Sequence, residues 1–265
     1  MSADALPTTF DVSGTPGIPF LRLVRVELRK AFDTRAGRWL VAITAGLALI
    51  GDLLIAIILA AQDEDLAYGD LVAGAAFACS VMLPVLGIML VTSEWSQRTA
   101  MTTFSLEPRR MRIVFAKMLA GVLLTAFVVA FALVVGVLCN LLYGALQGTI
   151  DWTFGWTGFF AFVATQTMAM LGGFALACLL LNTPAAIVVF FVYKWVLPGL
   201  LALGAALMAW FDDIVGWIDF QSAQNELYEA PLTGEQWGQL VVSGFIWLVV
   251  PLVIGLWRIR RAEVK

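Results

Sequence analysis

Long apolar blocks dominate this 265-residue chain. Several reach or exceed the roughly 20 residues that a helix needs to cross a bilayer, and the polar residues are confined to the stretches between them. Hydrophobic residues make up 61% of the sequence and charged residues 13%, where an ordinary soluble domain carries about 25% charged. Mean hydropathy is +0.91. A soluble globule of this length needs far more polar surface, so the expected fold is an all-α polytopic membrane protein.

Six spans are expected, at about Trp39–Ala61, Leu71–Thr92, Ile113–Leu142, Thr157–Leu181, Ala185–Trp210 and Gly238–Trp257. Together they make a transmembrane domain over 39–257. The third exceeds what the bilayer core requires, and tilt or extension beyond it accommodates the surplus. Asn182-Thr183-Pro184 reads as a tight turn with Thr183 as the N-cap of the fifth span and Pro184 in its first helical position. Residues 1–19 are polar, lack Lys and Arg, and read as a disordered tail rather than a signal peptide. Phe20–Arg38 reads as one amphipathic helix at the membrane surface. Leu21, Val24, Leu28 and Phe32 recur on its apolar side, and Arg22, Arg25, Arg29, Lys30, Arg35 and Arg38 fill the rest. Residues 258–265 form a basic tail.

Charge sets the expected orientation. Fifteen of the 16 Lys and Arg lie before the first span, between the second and third (counting Lys117 at the mouth of the third), or after the sixth. The three opposite connections hold none, but they hold eleven acids. By the positive-inside rule both termini are cytoplasmic, in agreement with an even number of spans.

The chemistry available is narrow. The chain has no histidine, which removes His-based triads, His metal ligands and the commonest general base near neutral pH. Cys79, Cys139 and Cys178 are isolated within apolar runs and form no CxxC, so each reads as a structural cysteine. A P-loop needs Ser or Thr after its lysine, whereas Ala31, Met118 and Trp195 follow Lys30, Lys117 and Lys194. No enzymatic activity, resident metal or directly bound cofactor is expected, nor any binding of nucleic acid.

Two charges, Asp52 and Lys194, fall inside spans. A charge there costs roughly 2.5–3.5 kcal/mol on insertion scales, and their depths differ by roughly 5 Å at 1.5 Å per residue. They are expected to face each other or a shared wet cavity. Pro198 removes a backbone donor from the fifth span and is expected to kink it. In the last outer connection, Trp210, Phe211, Ile214, Trp217 and Ile218 share a helical face suited to lying at the outer interface.

The connection between the second and third spans is the most informative segment. It reads Glu94-Trp95-Ser96-Gln97-Arg98-Thr99-Ala100-Met101-Thr102-Thr103-Phe104-Ser105-Leu106-Glu107-Pro108-Arg109-Arg110-Met111-Arg112, with Lys117 beyond it. Trp95, Thr99, Thr102 and Leu106 or Phe104 suit one face of a short helix that Pro108 ends. On these residues the chain resembles the membrane subunit of an ABC-2-type ATP-binding-cassette transporter, close to small actinobacterial-type permeases. Glu94, Thr99, Pro108, Arg110 and Lys117 match the family's positions, and Arg98 stands where the broader family often has Gly. The C-terminal region, with Asn225, Pro231, Gln236, Trp237, Trp247, Pro251, Gly255, Arg258 and Arg261, is similar as well.

The resemblance implies a half-transporter in a bacterial cytoplasmic (inner) membrane. Two six-span subunits would pair, as a homodimer or with a close paralogue. Each would bind one cytoplasmic ATPase subunit, so that two copies per complex hold ATP and Mg²⁺. Glu94, Trp95, Arg98, Thr99, Phe104, Pro108, Arg109 and Arg110 would form the coupling loop to the ATPase. The helix bearing Arg22, Arg25, Arg29 and Lys30 would be the elbow helix against membrane lipids. Few intramembrane charges favour a hydrophobic or amphiphilic substrate. The alternatives are a secondary transporter driven by an ion gradient, with Asp52 binding the proton, and a regulatory or sensory membrane subunit of an ABC-like complex.

Overall fold

A computed structural model of the chain describes residues 17–62, 64–97, 99, 101, 103, 105, 107, 109–229 and 231–261, leaving aside the side chain of Ala36. Most of the expected tail over 1–19, the last four residues of the basic tail, and Arg98, Phe104 and Pro108 lie outside them. The described residues are almost entirely helical and contain no β-strand, only an isolated bridge between Ala67 and Asp151.

Among the described residues, six helices are long and apolar enough to cross a membrane: Gly37–Ala61, Tyr68–Ser96, Arg110–Gln147, Trp156–Leu180, Thr183–Leu207 and Gly234–Arg261, hereafter spans 1 to 6. About half of each apolar stretch is buried in spans 2, 3 and 4, but only 17–22% in spans 1, 5 and 6. Spans 2 to 4 therefore form the centre of the bundle. The outward apolar side chains, such as Ile57, Phe127, Leu138 and Val253, are exposed in the isolated chain and suit a lipid-facing surface, where lipid is as apolar as Leu.

Because lipid removes the hydrophobic drive for helix association, close approach at small residues matters most. A Cβ on Gly87 of span 2 would lie 2.4 Å from the Met170 carbonyl oxygen of span 4, and one on Gly173 would lie 2.3 Å from that of Pro84. The two backbones touch through a pair of glycines. Gly255 of span 6 does the same against Cys178 of span 4, where a Cβ would lie 2.6 Å from the cysteine Cβ. Cys79, Phe162, Phe174 and Phe190 fill the core around these crossings.

Spans 5 and 6 share a local device. Val192–Val196 and Phe245–Val249 are π-helical, and each precedes a residue-Pro pair, Leu197-Pro198 and Val250-Pro251. Pro198 has no N–H for the Lys194 carbonyl and Pro251 none for that of Trp247. The turn widens instead, and the Leu197 N–H bonds the Val192 carbonyl. The expected distortion at Pro198 thus takes the form of a π-turn on its N-terminal side. The N-cap of span 5 is Asn182 rather than Thr183: Asn182 Oδ1 accepts from the Ala185 N–H at 3.0 Å, while the Thr183 hydroxyl donates to Thr92 Oγ1 at 2.8 Å.

The amphipathic segment is also shorter than expected. Its helix is Phe20–Asp33, and Thr34 caps a new helix, Arg35–Ala61, by accepting from the Gly37 N–H at 3.1 Å. Arg35 and Arg38 therefore belong to the entry of span 1. The buried stripe follows Phe20, Leu23, Val24, Glu27, Leu28 and Ala31, whereas Leu21 is 75% and Phe32 41% exposed. This stripe packs on Ala116, Leu119 and Ala120, the first turns of span 3. At 38 residues that helix is about 57 Å long, so its surplus length forms the platform on which the amphipathic helix rests.

At the end opposite the amphipathic helix, span 3 ties down the connections that precede span 2 and follow span 3. Asn140 Nδ2 donates to the Asp151 carbonyl at 2.9 Å and the Tyr143 hydroxyl to that of Glu64 at 2.8 Å. The connection between spans 5 and 6 forms the helices Ala209–Ile218 and Phe220–Asn225. Only the first lies at the surface, with Trp210 exposed. The second folds inward, where Phe220 and Ala223 pack against Met168, Tyr193, Leu240 and Trp247 of spans 4, 5 and 6. Asp219 starts it by accepting from the N–H groups of Gln221 and Ser222 at 3.0 and 3.2 Å.

Candidate functional site

Four charged side chains meet where the amphipathic helix crosses the ends of spans 2 and 3. Glu27 comes from the buried stripe of that helix and Lys30 from one turn later. Glu94 lies in the last turn of span 2 and Lys117 two turns into span 3. Lys30 Nζ donates to Glu27 Oε1 and to Glu94 Oε1, both at 2.8 Å. Lys117 Nζ lies 2.7 Å from Glu27 Oε2 and 3.1 Å from Glu94 Oε1. The charges alternate around a closed ring of no net charge. Glu27, Glu94 and Lys117 are each at most 8% exposed, and Lys30 opens to the outside with 43% of its side chain accessible.

Burial alone would favour neutral forms of these groups. At Lys30 it works against the charge, but the hydrogen bonds to Glu27 and Glu94 and their negative charges outweigh it, so the ammonium holds its proton above the ordinary lysine range. The ring needs all four members. A buried ion pair that loses one partner leaves an uncompensated charge, at about 3–5 kcal/mol.

Neighbouring contacts carry the ring into the rest of this end of the bundle. The Thr99 N–H bonds the Glu94 carbonyl at 2.9 Å, the Thr103 N–H that of Thr99 at 3.2 Å, and the Glu107 N–H that of Thr103 at 3.2 Å. The connection is thus helically wound where it is described. Arg112 Nη1 donates to Glu107 Oε2 at 3.0 Å and its Nη2 to the Ile18 carbonyl at 2.8 Å. Arg110 Nη1 reaches the Ile259 carbonyl at 3.1 Å, and Arg258 donates to the Leu179 carbonyl. Residues near both ends of the chain therefore lie at this one end of the bundle. Arg22, Arg25, Arg29 and Arg109 are exposed there, with Arg29 3.8 Å from Asp33, and Trp95 is half-buried.

A cavity of about 640 Å³ opens beside the ring, between the amphipathic helix and spans 1, 2 and 3. Leu40, Leu86, Leu90 and Leu124 make its apolar depth, and Arg22 and Lys30 stand among its polar lining. It offers an apolar chamber with ionic groups on one wall.

The two intramembrane charges do not pair. Lys194 Nζ donates to Gln221 Oε1 at 3.0 Å, on the inward-folded helix, and lies 5.8 Å from the Trp195 ring centroid. Both oxygens of Asp52 are buried without a hydrogen-bond partner among the described residues. The expectation of a pair assumed a regular helix and an outer connection lying on the surface. The π-turn at Val192–Val196 and the inward fold of Phe220–Asn225 give Lys194 another partner.

Of the residues singled out by sequence, Glu94, Lys30 and Lys117 come together, and Thr99 caps Glu94. Glu27, Glu107, Arg112 and Gln221 were missed. Glu27 had a readable signal, as an acid at helical spacing between Val24 and Ala31. No protein-family model matches the chain, and no curated protein matches it.

Proposed function

We propose that this chain is the membrane subunit of an ABC-2-type exporter, moving a hydrophobic or amphiphilic substrate across a bacterial cytoplasmic membrane. ATP, with Mg²⁺, is hydrolysed by separate subunits, two per complex, and a second permease chain completes the pathway. One observation carries the reading: the ring of Glu27, Lys30, Glu94 and Lys117 joins the last turn of span 2, from which the connection to span 3 leaves, to the amphipathic helix and to span 3. A force applied to that connection cannot move span 2 alone, because opening the ring exposes buried, unpaired charges to an apolar setting. The motion passes to the helix and both spans together, which is what coupling to a cytoplasmic motor requires.

On this reading the ring end is cytoplasmic. Arg109 faces the ATPase subunit, and Arg22, Arg25 and Arg29 face anionic lipid headgroups. The cavity beside the ring supports an amphiphilic substrate, with an apolar chamber for a tail and ionic groups for a polar head. The sparsely buried outer faces of spans 5 and 6 are available to the second chain.

Affinity purification of the tagged chain from its native membranes tests this. An ABC ATPase subunit should co-purify with the wild-type chain and be lost, at least tenfold, with Arg109→Glu. Among the described residues Arg109 makes only backbone contacts, its N–H donating to Glu107 Oε1 at 3.3 Å and its carbonyl accepting from the Arg112 N–H at 2.9 Å, so that variant leaves the spans inserted. Recovery of the intact chain with no nucleotide-binding partner overturns the proposal.

A further inference from the structure

Asp52 lies near the middle of span 1 and has no exposed surface. Neither carboxyl oxygen meets a hydrogen-bond donor among the described residues. Span 2 faces it with Gly74, Tyr68 and Cys79, and span 3 with Cys139; these tyrosine and cysteine groups lie within range of its charge. None is a cation, and the Tyr68 hydroxyl is committed to the Leu133 carbonyl at 2.8 Å. Lys194, the other charge at membrane depth, is committed to Gln221.

An ionised carboxylate with neither donor nor countercharge is strongly disfavoured in such a place, whereas the neutral acid is tolerated. A metal cation is an unsuitable occupant, because it needs several oxygen ligands and room for them. Here the packing is tight: a Cβ on Gly74 would lie 2.5 Å from Ile55 Cδ1 and 3.3 Å from Asp52 Oδ1. The one cation that fits is a proton. We propose that Asp52 is an intramembrane proton-binding site, occupied as the neutral acid while spans 1, 2 and 3 are packed together. Asp52 has no surface open to solvent, so the proton exchanges when span 1 parts from span 2. This inference does not rest on the ATP-driven reading and holds for any function of the bundle.

Infrared spectroscopy of the full chain in lipid vesicles at neutral pH tests it. The spectrum should contain the carbonyl stretch of a protonated carboxyl. That band should shift when the chain is labelled with ¹³C-aspartate and disappear in Asp52→Asn, a neutral substitution of nearly the same shape. Where Asp52→Asn fails to insert, Asp52→Glu serves in its place: its protonated-carboxyl band should persist but no longer shift with ¹³C-aspartate. A neutral-pH spectrum without an aspartate-derived band, or one that gains it only on acidification, means an ionised Asp52 and overturns the proposal. So does a band of equal intensity in a folded Asp52→Asn variant.

Discussion

Glu27 illustrates how a single side chain can be both buried and charged. It takes one oxygen to each of two lysines, Lys30 and Lys117, so its carboxylate exchanges water for two charge-assisted hydrogen bonds. Glu27→Gln should destabilise the chain by about 3–5 kcal/mol, because Lys117 is left buried with half its countercharge removed. Arg25→Gln, on the exposed face of the same helix, should change stability by less than about 0.5 kcal/mol. Thermal unfolding in detergent compares the two, and equal effects would remove the ring's role. A pH dependence follows from Lys30, whose proton is held above the ordinary lysine range by Glu27 and Glu94. Its contribution is fully present below the pH at which an unfolded lysine titrates, and it is lost as pH rises through the higher folded value. Alkaline unfolding should therefore flatten in Lys30→Gln. Sequence reading reached Glu94 and Lys117 through their matches to a family pattern and Lys30 through the basic face of an amphipathic helix. It could not assemble them, because their mutual distances depend on how three helices pack.

At the scale of elements, the spans are legible because apolar length alone specifies a membrane helix. Their contacts are not. Gly87 and Gly173 look no different in sequence from Gly46 and Gly51, yet the first two sit against a facing backbone and the last two have nothing within 4 Å of an added Cβ. Gly173→Val should therefore abolish recovery of folded, monodisperse protein, since overpacking against backbone exceeds the usual 1–3 kcal/mol or so. Gly51→Val should leave the yield within about twofold, a slight loss of helix propensity being its only cost. Size-exclusion profiles in detergent distinguish these outcomes, and a well-behaved Gly173→Val would mean that the spans do not cross there. The turn at Asn182 and the inward helix after Asp219 had local capping signals of the usual kind. The direction in which that helix folds had none, because Phe220, Ala223 and Gln221 find their partners on three other spans.

For the whole molecule, the separation of charge along the bundle predicts orientation. Basic side chains gather at the ring end and most acids of the connections at the other. The three native cysteines are buried, so a membrane-impermeant thiol reagent should leave the wild-type chain unlabelled. In intact cells Asp65→Cys should label and Arg25→Cys should label only after permeabilisation; the reverse pattern would invert the assigned sides. The sequence by itself determined the class of molecule, the six spans and the separation of charge between the two ends, because hydropathy and charge act residue by residue against the bilayer. Tertiary structure alone decided that Lys30, Glu94 and Lys117 close a ring through Glu27, that Lys194 turns to Gln221, and that Asp52 meets no hydrogen-bond partner among the described residues. Each outcome depends on the relative rotation of helices. A wide turn beside a proline, or a glycine set against a facing backbone, resets that rotation, and hydropathy carries no record of it.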